Sequence, residues 1–523
     1  MKKIVLALAI IFTGVACWAA NWMAEGNDPE RTAWQKDETI INTSNAKDIR
    51  LVWKLKLDST PREMHNLFPP LIFGSVNTEQ GPKQIAVVAG VSDDLFGIDV
   101  ATGTQLWKTH FESTYTPATG GRGSGTLCPG GQTAAPVAGP GPTPGSYTVY
   151  AVGWDGRLHE VNAADGKELT DPMLFTAANG KPYALNLFND VIYTSTAQGC
   201  GGHPDLLYAY DLRTHRTSVF SPGGGGMWGR RGVAMSPSGT AYMGTGDAGF
   251  DASKGILGDS IVGMKLDIET DEIHIDGFFS PVNSAFMWKR DLDMNDSPTV
   301  FDYQGKHFVV ATSKECRLWL MDRDNLGGDD HRSPLYRTPQ ICNDDINYAA
   351  AGVWGGMANY VDSKGVQWVL VPFWGPVSEK FHAPIEYGRP TRGGVAAFKV
   401  DQVNGKWQLT PGWLSQNMDM GEEVLVANGV VFAYGSGEDT RQGREERAWN
   451  DPPDNSAQFG SAGRIANSTH ATLYALDGQT GKMLWSSGNQ ITSWNHFSGI
   501  SEANGRVYIP TFDGYIYCFG ITR

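Results

Sequence analysis

Four short stretches of this chain carry side chains of the kinds that do chemistry. Gly223–Gly229 reads G-G-G-G-M-W-G and holds Trp228. Ala241–Asp247 reads A-Y-M-G-T-G-D and ends on Asp247. Trp288–Val300, W-K-R-D-L-D-M-N-D-S-P-T-V, sets Asp291 and Asp293 beside Arg290. Ala311–Asp322, A-T-S-K-E-C-R-L-W-L-M-D, carries Lys314. An aromatic face, carboxylates and an ammonium are the groups that stack planar ligands, hold hard cations or take protons, and stabilise negative charge. Each also has a plain structural reading. Trp228 is one of 17 Trp and serves equally as a sheet-core residue. Asp247 suits a turn after Gly246, and Lys314 suits a solvated hairpin. Other chemistries find no pattern. His203, His215, His274, His307 and His331 lack metal-ligand spacing, and no G-x-S-x-G elbow or phosphate loop stands in a strand–helix context. There is no C-x-x-C-H for covalent haem.

The elements that must position these residues repeat along the chain. Leu473–Trp485 reads L-Y-A-L-D-G-Q-T-G-K-M-L-W: an alternating strand, a turn through Asp477 and Gly481, and a returning strand ending in Trp. Related stretches are Phe96–Trp107, Leu158–Leu169, Leu207–Phe220, Val262–Ile273, Leu318–Gly328 and Ala396–Trp413, with Trp53 in a first strand and Arg506–Ile521 at the end. That makes seven internal copies with an incomplete unit at each end. The spacing is on the order of 50–80 residues, longer than common propeller repeats. Each copy supplies a four-stranded sheet that cannot bury both faces alone, and radial stacking solves that problem. The sequence therefore predicts an all-β, eight-bladed β-propeller of four-stranded antiparallel blades, its last blade completed by N- and C-terminal strands, as one domain over 21–523. Long irregular stretches at 114–145, 247–258, 276–291, 373–392 and 435–470 are expected to roof a central pocket.

Composition agrees. The chain has 523 residues, 64 Gly and a formal charge of -14. That balance, with no basic run, argues against nucleic acid as a partner. Met1-Lys2-Lys3, an apolar run Ile4–Ala16 and small residues to Ala20 read as a secretory signal over 1–20, too short to span a bilayer. Cys17 is a candidate for lipidation, although Gly14 stands where a lipobox has Leu. No later stretch is long and apolar enough to cross a membrane, so a periplasmic or secreted protein is expected. Five cysteines then remain, Cys128, Cys200, Cys316, Cys342 and Cys518, and their pairing stays open.

The repeats resemble the pyrroloquinoline-quinone (PQQ) repeat, A-x-D-x-x-T-G-x-x-x-W, and the chain resembles the quinoprotein alcohol dehydrogenase-like superfamily. The resemblance implies PQQ and Ca²⁺ in a central pocket and oxidation of an alcohol or sugar hydroxyl, with electrons passed to a separate acceptor. It sets Trp228 as the floor beneath the quinone, Asp247 as a Ca²⁺ ligand where the family has Asn, and Lys314 at the quinone oxygens. The family's x-D-x-W-D base segment aligns imperfectly: with Asp293 on its second Asp, Arg290 falls on the base position, and a shift of one gives Asp291 as the catalytic base. Two departures accompany these matches. No vicinal Cys-Cys is present, only Cys128 in that region. The family's Glu ligand falls near Gln198–Cys200, where Gln198 offers an oxygen without charge. The alternative that the resemblance leaves open is a non-catalytic propeller scaffold with an envelope protein partner.

Overall fold

The computed structural model describes residues 19–113, 127–246, 248–346, 351–440 and 460–521. Eight small antiparallel sheets follow one another along the chain. Blade 1 is Leu71–Thr78, Gly81–Gly90, Asp94–Asp99 and Thr104–His110. Blades 2 and 3 open on Val137–Pro140 and Asn186–Phe188. Blade 4 opens on Gly226–Trp228 and Ala234–Met235, which both pair with Thr240–Gly246. Blades 5, 6 and 7 open on Thr299–Tyr303, Ala358–Val361 and Gly421–Ala427. Blade 8 joins Ser501–Ala503, Arg506–Pro510 and Tyr515–Gly520 to Arg50–Lys56, so strands from the two ends of the chain close the ring as expected. Opening strands of successive blades touch one another and line the hub.

The repeat motif explains itself in contacts between blades. Trp53, Trp107 and Trp413 sit on fourth strands. Each indole donates to a carbonyl in the next blade: Val100, Ala163 and Gly478 at 2.9, 3.2 and 2.9 Å. Beneath each ring lies the turn glycine of that next blade, Gly103, Gly166 or Gly481, at φ 69°, 73° and 74°. A Cβ there would stand 2.6, 2.5 and 2.4 Å from the indole. The T-G-x-x-x-W pattern thus encodes blade stacking, with Gly supplying both the positive φ and the room.

A second device spans the hub. The segment from Ala20 to Gln35 touches the inner region of every blade. Ala20 N–H donates to Asn504 of blade 8, and Trp22 exchanges backbone bonds with Ile72 of blade 1. The carbonyls of Met23, Pro29, Glu30, Thr32 and Ala33 accept from Ala138, Met235, Val300, Asn359 and Val426. Arg31, 1% exposed, donates to Leu185 O at 2.9 Å and Val233 O at 3.1 Å. This strap replaces water as the partner of backbone groups inside the ring.

The stretch 276–291, expected to be irregular, is partly ordered. Glu272–Phe279 is the outer strand of blade 4, and Ser284–Lys289 forms a short helix. No helix of the described residues is long and apolar enough to cross a membrane. Residues 1–18, which include most of the expected leader and Cys17, lie outside the described residues.

Candidate functional site

In a four-stranded up-and-down blade, the link between strands two and three and the link to the next blade emerge at the same end. Lys314 lies on the first kind of link in blade 5. Asp291 and Asp293 lie on the link from blade 4 to blade 5, and Trp228 ends the opening strand of blade 4. Residues far apart in sequence thereby meet. Lys314 Nζ donates to Asp291 Oδ1 at 2.9 Å and to Asp293 Oδ2 at 2.6 Å. It also stands 5.5 Å from the Trp228 ring centroid. Lys314 is 8% exposed, not a solvated hairpin residue, and Asp293 is 1% exposed. The indole Nε1 of Trp228 is buried without a hydrogen-bond partner among the described residues.

The local sequence builds this arrangement. Ser313 O accepts from Cys316 N–H, turning the chain at Lys314. The Cys316–Cys342 disulfide fixes that turn, and Asn343 Nδ2 donates to Lys314 O at 2.8 Å. The glycines of G-T-G leave room for the carboxylate segment. A Cβ at Gly244 would meet Met294 O at 2.1 Å, and one at Gly246 would meet Asp293 Cγ at 2.6 Å. Asp291 itself has φ 53°, a conformation Asp tolerates better than most residues.

The other two expected site residues fare differently. Asp247 lies outside the described residues. Gln198, at φ 77°, is half-buried and makes no hydrogen bond with a described residue; its neighbour Ala197 packs under Gly226. Two residues on, Cys200 pairs with Cys128, so a disulfide does occur here, between residues 72 apart. Cys518 is free and buried. Among the described residues, no group of three His, Cys, Asp or Glu side chains is placed to hold a metal ion.

Trp354 and Trp374, at 4.6 Å between centroids, join Phe497 as an aromatic wall, whereas Phe373 belongs to the core between blades. The Arg230 guanidinium lies 3.1 Å from the Phe497 ring centroid. Beside them an axial cavity is lined by His65, Phe68, Lys181, Tyr183, Arg230 and Phe497, with Glu25 of the strap and Glu423 also facing it. Burial dominates its titration. Glu25 is pushed up to about 8, and Lys181 is pulled down to about 7, first by desolvation and then by the Arg230 charge. His65 and His496 are held well below the usual imidazole range by desolvation. His496 Nδ1 lies 2.7 Å from Glu438 Oε2, and the Glu438 carboxyl rises to about 7 on burial. Sequence reasoning missed this cavity. Arg230 follows Trp228 by two residues but lies in the turn that Gly232 N–H closes on Gly229 O, so strand alternation did not mark its place at the cavity.

No family model and no curated protein sequence matches the chain. Among solved structures it is similar to the quinohemoprotein alcohol dehydrogenase of Comamonas testosteroni, at 15% identity and TM-score 0.57, over 97% of this chain and 81% of that one. It is also similar to a europium-containing methanol dehydrogenase, at 13% identity and TM-score 0.57, over 96% of this chain and 98% of that one. A third is the quinohemoprotein alcohol dehydrogenase ADHIIG of Pseudomonas putida HK5, at 12% identity and TM-score 0.57, over 96% and 80% of the two chains. The fold is that of the quinoprotein alcohol dehydrogenases. At this identity the likeness speaks for the quinoprotein propeller itself, and the chemistry must be argued from this chain's own side chains.

Proposed function

We propose that this chain is an exported oxidoreductase that uses PQQ at the axial end of the propeller to oxidise an alcohol or sugar hydroxyl, handing electrons to a separate acceptor. The observation that carries the reading is Lys314, clamped by Asp291 and Asp293 and set over Trp228. A planar, anionic quinone suits that set: an indole face for stacking and a fixed ammonium for its oxygens. When bound, PQQ supplies a two-electron sink for the hydride leaving the alcohol carbon. The chain's own residues do the rest. Trp228 supports the ring plane. Lys314 is preorganised by its two carboxylates, so its charge needs no reorganisation when negative charge develops. Asp291, more exposed than Asp293, takes the hydroxyl proton on a carboxylate oxygen. Asp293 is the anchor that keeps Lys314 aimed.

The described residues do not by themselves complete a Ca²⁺ site. Asp291 and Asp293 are engaged by an ammonium, and the expected ligands Asp247 and Gln198 add no placed charge. That feature favours a second reading, a binding scaffold with an envelope protein partner. Two disulfides among the described residues suit an oxidising compartment under either reading.

A PQQ titration followed by quenching of tryptophan fluorescence, with and without Ca²⁺, tests the proposal. Saturable binding by wild type, its loss in Trp228→Ala, and dye reduction with a panel of alcohols are expected. A protein that takes up no PQQ in either condition is a scaffold, and the enzymatic reading ends there.

A further inference from the structure

Among the described residues, exposed apolar side chains are concentrated at one place on the ring. Val282, Phe286 and Trp288 are 69%, 43% and 44% exposed, and all three lie on the link between blades 4 and 5. Other exposed apolar side chains are spread around the ring, such as Leu106 on blade 1, Val219 on blade 3, Val403 on blade 6 and Met483 on blade 7. Scattered single residues of that kind are ordinary, whereas a cluster marks a surface that something covers. The cluster is held in place from beneath. Helix Ser284–Lys289 buries Ser284 and packs Met287 into the core, which turns Phe286 and Trp288 outward. Two contacts tie it to the candidate site. Asn283 Nδ2 donates to Glu315 Oε2 at 3.2 Å, beside Lys314. The Trp288 ring stands against Gly249, where a Cβ would be 3.7 Å from it. Two cations follow the aromatics directly. Lys289 is exposed, and Arg290 keeps its charge while donating to Ile346 O at 2.9 Å. The carboxylates nearby are engaged: Asp291 and Asp293 by Lys314, Glu315 by Arg317 at 2.9 Å, and Asp251 by Lys254 at 2.7 Å.

We propose that this link is a membrane-docking surface: Val282, Phe286 and Trp288 enter the interfacial layer of an anionic lipid bilayer, and Lys289 and Arg290 meet its headgroups. Area decides between lipid and protein. Three side chains about half exposed offer on the order of 300 Å² of apolar surface. A specific protein interface takes about 800 Å² from each partner. A bilayer needs no such matching surface, because it closes around each side chain that enters it. Trp and Phe beside Lys and Arg is also the composition that settles at a membrane–water boundary. The net charge of -14 does not forbid the approach. Charges farther than about 8 Å are screened at physiological salt, and the charges beside the aromatics are cationic. The protein would lie on the bilayer, since no helix of the described residues is long and apolar enough to cross one. Docking this way sets the end of the propeller that carries Trp228 and Lys314 against lipid. The surface stands whether or not the protein takes up PQQ.

The test is cosedimentation of the full chain with vesicles of equimolar phosphatidylcholine and phosphatidylglycerol, and with vesicles of phosphatidylcholine alone. Wild type should pellet with the mixed vesicles, and lipids brominated along the acyl chain should quench part of its tryptophan emission. Trp288→Ser should lose that quenching. Val282→Ser, Phe286→Ser and Trp288→Ser should each lower the partition coefficient about three- to ten-fold, as for a half-exposed side chain that becomes buried. Lys289→Gln should weaken binding to the mixed vesicles and leave binding to phosphatidylcholine alone unchanged. Trp288 also packs on Gly249, so Phe286→Ser supplies the variant whose melting temperature should match wild type. A wild type that stays in the supernatant with both vesicles overturns the proposal, as does one that pellets no more than Phe286→Ser and Trp288→Ser. Self-association of wild type that Phe286→Ser abolishes, without vesicle binding, gives the face to a protein partner and overturns it too.

Discussion

Replacing Lys314 by Met removes the ammonium that donates to both Asp291 and Asp293. Lys314 and Asp293 are 8% and 1% exposed, so water cannot take over as counter-charge without opening the turn. Removing one partner of a buried ion pair costs about 3–5 kcal/mol. Asp293 contributes most of that, through its 2.6 Å contact; the Asp291 side chain is 14% exposed and contributes less. Lys314→Met should therefore lose about 3–5 kcal/mol, and Lys314→Met combined with Asp293→Asn should recover a large part of it. Urea unfolding monitored by tryptophan fluorescence on wild type, the two single variants and the double variant gives the coupling energy directly. The expected value is about 1.5–3 kcal/mol, the range for a hydrogen bond between charged groups. Asp291→Asn should leave stability nearly unchanged while abolishing any alcohol-dependent dye reduction. A coupling below about 0.5 kcal/mol, a surface-pair value, would refute the claim that this ammonium is held in a buried clamp.

Two further outcomes follow from the hub and its disulfides. Glu25, Glu422 and Glu438 titrate at about 8, 7 and 7 in the fold against an ordinary 4.5. The folded state binds more protons than the unfolded chain between those values, so these groups withdraw stability as pH rises from about 5 to 8. His65 and His496 act oppositely, withdrawing stability as pH falls below 6.5, because the unfolded chain binds the proton first. Glu25→Gln should flatten the decline on the alkaline side in denaturation curves taken across that range, and an unchanged slope would count against it. Replacing both Cys316 and Cys342 by Ser opens a 26-residue loop and should cost about 3–4 kcal/mol by the chain-entropy estimate. Because that bridge fixes the Lys314 turn, PQQ affinity should fall with it, whereas Cys518→Ser should leave affinity unchanged.

Much of the architecture was readable before any coordinates. The alternation of Leu473–Trp485 and its relatives fixes strands, Asp and Gly fix the turns, and a sheet of four strands with two apolar faces must be covered on both sides. Seven such units with half-units at the ends close as eight. Trp228 and Lys314 were also singled out from residue type and local motif, and the fold brought them together. What the order of residues did not contain was the company they keep. Arg290 and Asp291 were alternatives for one position and Asp293 stood apart from them, yet Asp291 and Asp293 both grip the same ammonium, because the links of blades 4 and 5 emerge side by side. Cys128 and Cys200 pair across 72 residues. Nothing in the flanks of Lys181 and Arg230 marks them as lining one cavity. Local pattern is written in neighbours a few positions apart, and it determined the blades. Burial, charge pairing and the axial cavity depend on distances between separate segments, 21 residues apart for Lys314 and Asp293 and 192 apart for Arg231 and Glu423, and only the tertiary fold sets those.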